Sequence, residues 1–220
     1  MNGGWRAAVA RLVTRSRSAP PGAERSLDAL IAQGFVAIDV ETTGLDPRRD
    51  ALVSAAAVRF LNGTPGDAFL SLVAPGRPIP AAASAVHRLT DRDVDGAPGP
   101  DTVVARLDAV CAEHVLVGHD VAFDLAVLGA VRAAHGLTRS PVLALDTRLL
   151  FRAVQRVQRD SRLESVAARF GIPTDGRHTA DGDARMAGRV LVALVPELRA
   201  RGARTVGDLL RLQRTAPRYD

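Results

Sequence analysis

The sequence predicts an α/β fold in which one mixed, five-stranded sheet is flanked by helices. Three apolar segments separated by short turns predict an antiparallel start. From Asp101 onward, helical patterns alternate with two further short apolar runs. A hairpin start followed by strand–helix–strand units favours one mixed sheet with helices on its faces. The five predicted strands span residues 35–41, 51–61, 68–73, 115–118 and 142–145.

Turn and cap residues set the boundaries of these elements. Gly44 and Pro47 predict a turn after the first strand, and residues 62–66 predict a hairpin-type connection between the second and third strands. A short helix is predicted at residues 81–88, and Asp101 is predicted to cap the helix that follows. The remaining helices are predicted at residues 101–113, 122–135, 147–158, 162–170, 181–201 and 205–214.

Composition indicates a globular intracellular protein. Of the 220 residues, 47% are apolar and 24% are charged, which excludes a disordered or fibrous chain. Arginine supplies all 29 basic residues, and the formal net charge of +5 permits an anionic partner such as nucleic acid. The single cysteine, Cys111, excludes an internal disulfide and a cysteine-based zinc site. We therefore expect a reducing, cytoplasmic location.

The chain is predicted to contain one main domain. Residues 1–25 form a basic extension followed by a Pro- and Gly-containing linker, residues 26–215 form the domain, and residues 216–220 form a short tail. No apolar run approaches the length that spans a bilayer, so no membrane partner is expected.

Two carboxylates stand at the end of the first predicted strand. Alternate side chains of a strand point to the same face, so Asp39 and Glu41 lie together while Ile38 and Val40 face a core. Paired carboxylates repel one another unless a cation or a proton lies between them. Hard oxygen ligands suit Mg²⁺ or Mn²⁺, although many Asp-x-Glu pairs at strand ends bind no metal.

Two further acids and a histidine could complete such a site. Asp124 and Asp183 each fall in the first turn of a predicted helix, where free N–H groups orient nearby oxygens. His178, five residues before Asp183, is suited to accept a proton from water near neutral pH. Taken singly, the acids could be helix caps and the histidine a surface residue. Their joint arrangement favours a metal site.

That arrangement resembles the DEDDh family of 3′-5′ exonucleases, which includes the proofreading epsilon subunit of bacterial DNA polymerase III. Residues 38–45, 118–124 and 178–184 are similar to the family's three motifs in order and spacing. The resemblance implies a ribonuclease H-like fold, consistent with the mixed sheet. Secondary matches lie at residues 86–90, 145–147 and 163–167.

The resemblance also implies a mechanism and a product. Asp39, Glu41, Asp124 and Asp183 would bind two Mg²⁺ or Mn²⁺ ions, and His178 would act as the general base. The expected reaction releases nucleoside 5′-monophosphates from single-stranded 3′ ends, with DNA favoured over RNA. The side chains that could contact the substrate, or simply pack, are those of Thr42, Leu45, His119 and Phe123.

Two positions depart from the family pattern. Asp120 stands where the second motif usually has Asn, and Arg88 stands where Gly usually follows the histidine of residues 86–90. Neither is one of the four acids or the proposed base, so the departures bear on substrate preference more than on activity. A basic stripe at helical spacing could follow phosphates or form a solvated face, and it comprises Arg148, Arg152, Arg156 and Arg159.

Alternative functions remain at this stage. An RNA-directed member of the same family, of the oligoribonuclease or RNase T type, would share the motifs. A non-catalytic module that binds nucleic acid or a polymerase is a different class, and the complete set of acids disfavours it. The chain ends at Asp220, soon after its last predicted helix. We therefore expect a stand-alone exonuclease or repair factor rather than a polymerase-bound subunit.

Overall fold

A computed structural model describes residues 21–138, 142–155 and 160–217. The strands are β1 (Phe35–Thr42), β2 (Leu52–Leu61), β3 (Thr64–Leu72), β4 (Leu116–Gly118) and β5 (Ala144–Asp146). They form one sheet in the order β3-β2-β1-β4-β5, in which β1, β2 and β3 are antiparallel neighbours and β4 and β5 run parallel to β1. The mixed five-stranded sheet predicted from the sequence is confirmed.

Helices cover both faces of this sheet. The helices in the described residues are α1 (Leu27–Gln33), α2 (Ala81–His87), α3 (Pro100–Cys111), α4 (Ala122–His135), α5 (Thr147–Val154), α6 (Leu163–Arg169), α7 (Ala180–Ala200) and α8 (Val206–Thr215). One face packs against α1, α5, α6, α7 and α8, and the other packs against α3 and α4. Each face buries its own apolar cluster, as expected for a sheet enclosed between two layers.

The hairpin between β2 and β3 is tighter than the sequence suggested. Asn62 and Gly63 both have positive φ, at 51° and 73°, which is the pattern of a two-residue primed turn. Strand β3 therefore begins at Thr64, and the prediction of a connection through residues 62–66 was wrong. Pro65 is tolerated because β3 is an edge strand.

Other boundaries moved by a few residues for local reasons. Helix α3 begins at Pro100, since proline fits the first helical position, and Asp101 lies in the first turn rather than at the cap. Helix α2 ends at His87, and Arg88 takes a left-handed φ of 64°. Strand β5 extends to Asp146 rather than ending at residue 145. Its last residue therefore carries a carboxylate, in addition to Asp39 and Glu41 on β1.

The long helix α7 lies directly on the sheet. A Cβ atom on Gly188 would come within 2.2 Å of the Phe60 ring, so glycine permits this close approach. The Phe60 ring stacks on Phe35 with centroids 4.8 Å apart. This packing holds the first turn of α7 near the carboxyl end of β1.

The first and last described segments are joined by backbone hydrogen bonds. Leu27 N donates to Arg204 O at 2.9 Å, and Gly207 N donates to Ala23 O at 2.8 Å. Ala23 is buried, so packing begins a few residues before the predicted domain start at Ser26. Residues 1–20 and 218–220, which hold most of the predicted extension and tail, lie outside the described residues. Those boundaries remain predictions.

Helix α8 also contacts the outer strand of the sheet. The Gln213 side chain donates from Nε2 to Ala144 O at 3.0 Å and accepts from Asp146 N at 3.0 Å. A single amide group therefore pairs with both backbone groups that β5 presents there.

Among the helices of the described residues, none has the combined length and apolar character needed to cross a membrane.

Candidate active site

Strand β1 carries two acids out of the core on one face. Phe35 and Ala37 are buried in the cluster under α7, and Asp39 and Glu41 continue the same face at the end of the strand. The intervening residues Ile38 and Val40 are buried in the opposite cluster, as the alternation predicted. Both acids are partly buried, so they open onto solvent while standing beside apolar packing.

The start of α7 supplies Asp183. Thr179 caps the helix by accepting a hydrogen bond from Gly182 N at 3.1 Å. A Cβ on Gly182 would lie 2.0 Å from Gly176 O, so only glycine allows the preceding loop to pack this tightly. The loop thereby fixes His178, whose N–H donates to Asp183 Oδ1 at 3.3 Å and whose φ is 65°.

These three acids form a compact oxygen cluster. One carboxylate oxygen from each of Asp39, Glu41 and Asp183 lies within 4.8 Å of the other two. Three hard, anionic oxygens at this separation can share a divalent cation, because ion–oxygen distances of about 2.0–2.6 Å span such gaps. The residues therefore fit the metal that the motifs imply.

Asp124 reaches the cluster from the opposite layer. It lies in the first turn of α4, is only 4% exposed, and accepts a hydrogen bond from Val40 N at 3.0 Å. The β1–β4 pairing runs through Ala37 and Val117, so Val40 lies past the paired residues and its N–H is available. Asp124 therefore lines the same cleft as the other three acids.

Burial raises the pKa of all four acids, and repulsion among them adds to this at Asp39 and Glu41. Burial raises the pKa of Asp39 well above its usual value, and the charges of the other acids raise it further. The pKa of Glu41 is raised to about 7, first by burial and then by Asp183. Burial also raises the pKa of Asp124 and that of Asp183. A bound cation would relieve this repulsion.

A cation that was not predicted from the sequence contacts the cluster. Arg177 donates from Nη1 to Asp183 Oδ2, and its Nε and Nη2 each donate to Glu164 Oε2 at 3.2 Å. Its positive charge lowers the pKa of Asp39 and that of Glu41, partly opposing the effect of burial. The signal available in the sequence was a basic residue immediately before the third motif. We call Asp39, Glu41 and Asp183, with Arg177, the carboxylate wall of the cleft.

The opposite wall is built from the ends of β4 and β5. The His119 ring is held at both nitrogens, with Nδ1 2.9 Å from Thr147 Oγ1 and Nε2 2.8 Å from Ser161 O. Burial lowers the pKa of His119 to about 4, so the ring is neutral near pH 7. Because Ser161 O can only accept, Nε2 carries the proton.

Asp120 belongs to the same network. Its φ of 64° lies in the left-handed region, which Asn and Asp enter more readily than other residues, and this accounts for a short polar side chain there. Asp120 Oδ2 accepts from Arg148 Nη1 at 2.9 Å, and Asp120 N donates to Asp146 Oδ1 at 3.1 Å. Burial, with a smaller effect of Asp120, raises the pKa of Asp146 to about 6.

Two of the four arginines in the predicted basic stripe lie within the described residues. Arg148 faces Asp120, and Arg152 Nε donates to Ser161 Oγ at 2.8 Å, so both side chains contribute to this wall. Arg156 and Arg159 lie outside the described residues. We call the group of His119, Asp120, Asp146, Arg148 and Ser161 the hydrogen-bonded wall.

Between the two walls lies a cleft of about 430 Å³. Leu45 and Phe123 line it, and Leu45 is 89% exposed. The Thr42 hydroxyl, which was predicted to contact substrate, donates to Gly44 O at 2.5 Å inside the turn after β1. A substrate contact from Thr42 therefore remains a prediction.

Comparison with known proteins identifies the family. A sequence model of the exonuclease family RNase_T matches residues 36–191, well over half of the chain. The chain belongs to the DnaQ-like 3′-5′ exonuclease family. The family predicted from the three motifs is thus confirmed, and the matched range contains all four acids and His178.

Longer proteins named for DNA polymerase III are among its relatives. A DNA polymerase III subunit epsilon-like protein of Rhodobacter capsulatus is 41% identical over 194 residues, covering 86% of this chain and 27% of the relative. A PolC-type DNA polymerase III of Lacticaseibacillus paracasei is 30% identical over 168 residues, covering 76% of this chain and 12% of the relative. The exonuclease-family chain therefore spans about a quarter or less of these relatives.

Solved exonucleases share its fold. A structure of exonuclease X in complex with 5′-overhanging duplex DNA has a TM-score of 0.65 at 22% identity, covering 81% of this chain and 99% of that one. E. coli exonuclease I in complex with a dT13 oligonucleotide has a TM-score of 0.64 at 18% identity, covering 76% and 43%. These similarities confirm the ribonuclease H-like fold of this member of the DnaQ-like family.

Proposed function

We propose that this protein is a metal-dependent exonuclease that hydrolyses the terminal phosphodiester of single-stranded DNA 3′ ends and releases nucleoside 5′-monophosphates. The observation that carries this proposal is the convergence of four acids from β1, α4 and α7, and of His178 from the loop before α7, on one open cleft. The similarity to an epsilon-like protein and to exonucleases crystallised with DNA supports DNA as the substrate.

The acids are proposed to hold two divalent ions, either Mg²⁺ or Mn²⁺. Asp39 shares the oxygen cluster with Glu41 and Asp183, and its pKa is also raised by the charge of Asp124, so it would contribute to holding both ions. When bound, the ions supply a water of lowered pKa and stabilise charge on the departing 3′-oxygen. Asp124 already accepts from Val40 N, so its carboxylate is fixed in orientation before any ion binds.

His178 is proposed to remove the proton from the attacking water. It lines the cleft beside Asp183 and stands in a glycine-bounded loop. Its Nδ1 lies 3.3 Å from Arg177 Nη1, the guanidinium nitrogen that also contacts Asp183. Imidazole is the side chain best suited to take a proton from water near neutral pH.

The remaining lining residues are proposed to position the nucleotide. Leu45 offers an exposed apolar surface beside the acids, and Phe123 offers an aromatic face across the cleft. Bases stack on such surfaces without regard to sequence. His119 is proposed to shape this end of the cleft through its two hydrogen bonds rather than through proton transfer.

A DNA polymerase as partner and a cytoplasmic location complete the proposal. The sequence favoured a stand-alone enzyme, which would use the same cleft, whereas the similarity to an epsilon-like protein of DNA polymerase III supports association with a polymerase. The free Cys111 suits a reducing compartment. Co-purification with a polymerase would test the first point.

The deciding experiment uses oligonucleotides of one sequence, labelled at either end, as DNA and as RNA, with Mg²⁺, Mn²⁺ or EDTA. We expect stepwise shortening from the 3′ end of DNA and no product in EDTA. Asp39→Asn, which removes a ligand but keeps the side-chain shape, is expected to reduce turnover at least about 10³-fold. Asp67→Asn, an exposed acid on β3, is the matched control.

Two results would count against the proposal. Full activity of Asp39→Asn would reject the site, and digestion from the 5′ end would reject the polarity. Faster cleavage of RNA than of DNA would reassign the substrate to RNA while leaving the chemistry in place.

A further inference from the structure

We propose that Arg177 is an internal counter-ion of the metal site, which competes with divalent cations for Asp183 and must leave it before they bind. This inference rests on the proposed function, since it concerns the same acids. It assigns to a residue outside the four acids and His178 a role in setting metal affinity.

The contacts of Arg177 carry the argument. Nη1 donates to Asp183 Oδ2 and lies 3.3 Å from His178 Nδ1, so one guanidinium nitrogen meets an acid of the cluster and the proposed base. Asp183 is only 5% exposed, which leaves little water to screen the pair. A cation bound through Asp183 Oδ2 and the Arg177 guanidinium cannot occupy the same position.

Glu164 supplies an alternative location for the displaced charge. Nε and Nη2 of Arg177 both donate to Glu164 Oε2 at 3.2 Å, and neither nitrogen takes part in the Asp183 contact. Glu164 also lies 3.6 Å from Arg162 Nε, at the start of α6 on the rim of the cleft. Arg177 can therefore release Asp183 and stay bound to α6, still lining the cleft.

The arrangement has two consequences that can be measured without substrate. Removing the positive charge takes away a competitor, so divalent cations should bind more tightly. It also takes away the counter-charge of a repelling cluster, so the protein in EDTA should be less stable. Both effects follow from the same contact. Loss of the positive charge should raise the affinity for metal and should lower the stability of the metal-free protein.

The test measures Mn²⁺ binding by electron paramagnetic resonance of the free ion, with no nucleic acid present, together with thermal midpoints in EDTA and in Mn²⁺. For Arg177→Gln we expect a Kd about tenfold lower than wild type, a lower midpoint in EDTA and a larger rise on adding Mn²⁺. Arg185→Gln is the matched control, because it removes the same charge from α7 at an ion pair with Asp181 of 2.8 Å. Its Kd should change less than twofold.

A charge-retaining variant separates charge from shape. Arg177→Lys should bind Mn²⁺ more like wild type than like Arg177→Gln. Equal affinities in wild type, Arg177→Gln and Arg177→Lys would overturn the counter-ion proposal while leaving the proposed metal site intact. Failure of every protein, wild type included, to bind Mn²⁺ would instead reject the proposed function.

Discussion

The two walls of the cleft treat charge in opposite ways. On the carboxylate wall, three acids lie within 4.8 Å of one another, and Arg177 contacts only one of them directly. On the hydrogen-bonded wall, Asp120 is paired with Arg148, and Asp146 accepts the backbone N–H groups of Asp120, Arg148 and Leu149. Both walls are assembled from strand ends and helix starts of one sheet, so the backbone architecture does not explain the difference.

The difference indicates what each wall is for. Groups whose hydrogen bonds and charges are matched within the protein hold their positions without help, and they keep a surface in shape. Groups left with excess like charge gain stability only when something else binds, so they mark the place where a ligand or a proton is expected. Substitutions of histidines, glycines and acids in and beside the two walls test this contrast.

The largest expected effect separates the two histidines. His178→Ala should lower kcat about 10²- to 10⁴-fold with little change in thermal midpoint, because the side chain is proposed to act in proton transfer. His119→Ala should instead lower the free energy of unfolding by about 1–3 kcal/mol, since it removes the ring that pairs with the Ser161 carbonyl and contacts the Thr147 hydroxyl. Single-turnover rates and melting curves of both variants would measure the split, and a stability loss in His178→Ala would contradict it.

A second substitution tests how the carboxylate wall is positioned. Gly182→Ala places a Cβ 2.0 Å from Gly176 O, so the loop that carries His178 must move. A displacement of about 1 Å at reacting groups can cost about 10²-fold in rate, and we expect a loss of that size. Gly129→Ala is a suitable control, because a Cβ at that helical position meets nothing within 4 Å. Equal rates for the two variants would show that the loop tolerates the change.

A pH series compares acids from the two walls. The pKa of Glu41 is about 7 in the folded protein against an ordinary 4.5, so the folded state holds this proton more tightly than the unfolded state does. Glu41 therefore favours folding at low pH, and this contribution is lost as the pH rises from about 4.5 through about 7. In EDTA, the thermal midpoint of Glu41→Gln should exceed that of wild type, and the difference should grow over that pH range to about 2–4 °C.

Asp146→Ala is the contrasting variant for the same series. The Oδ1 atom of this carboxylate accepts from the backbone of Asp120, Arg148 and Leu149, and alanine leaves those three N–H groups without that acceptor. We expect the variant to melt below wild type at neutral pH although burial raises the pKa of Asp146 to about 6. Parallel melting curves for Glu41→Gln and wild type at every pH would argue against a strained carboxylate wall.

The smallest expected effect concerns the Asp120–Arg148 pair. A double-mutant cycle with Asp120→Asn and Arg148→Met should give a coupling energy of about 0.5–1 kcal/mol, because both side chains are partly exposed. Denaturant unfolding of the four proteins provides the measurement. A coupling energy near zero would mean that Asp120 needs no counter-charge, and Asp120→Asn alone should then be neutral.

Local patterns in the sequence predicted much of this architecture. The alternation around Ile38 and Val40 set the faces of β1, and the spacing of the motifs brought Asp124 and Asp183 to the same cleft. Both are short-range signals, because a strand repeats every two residues and a helix start follows its cap. The connection between β2 and β3 was predicted too long. Asn62 and Gly63 both take a positive φ and close the hairpin in two residues, although turn-forming residues continue to Gly66.

The contacts that the sequence did not yield are those between distant side chains. Arg177 meets Glu164 only because α6 packs beside the loop before α7, and Arg148 meets Asp120 across 28 positions of the chain. No periodicity records such pairs, and an arginine-rich composition offers many candidate partners for each acid. Their identification required the docked arrangement of helices around the sheet.

The amide of Gln213 has a consequence for association between molecules. By occupying Ala144 O and Asp146 N, it removes from β5 the donor and acceptor that an incoming strand would need. Open sheet margins invite intermolecular pairing and aggregation, and proteins commonly block them. One side chain of the final helix thus protects the margin nearest the cleft from being captured by a neighbouring chain.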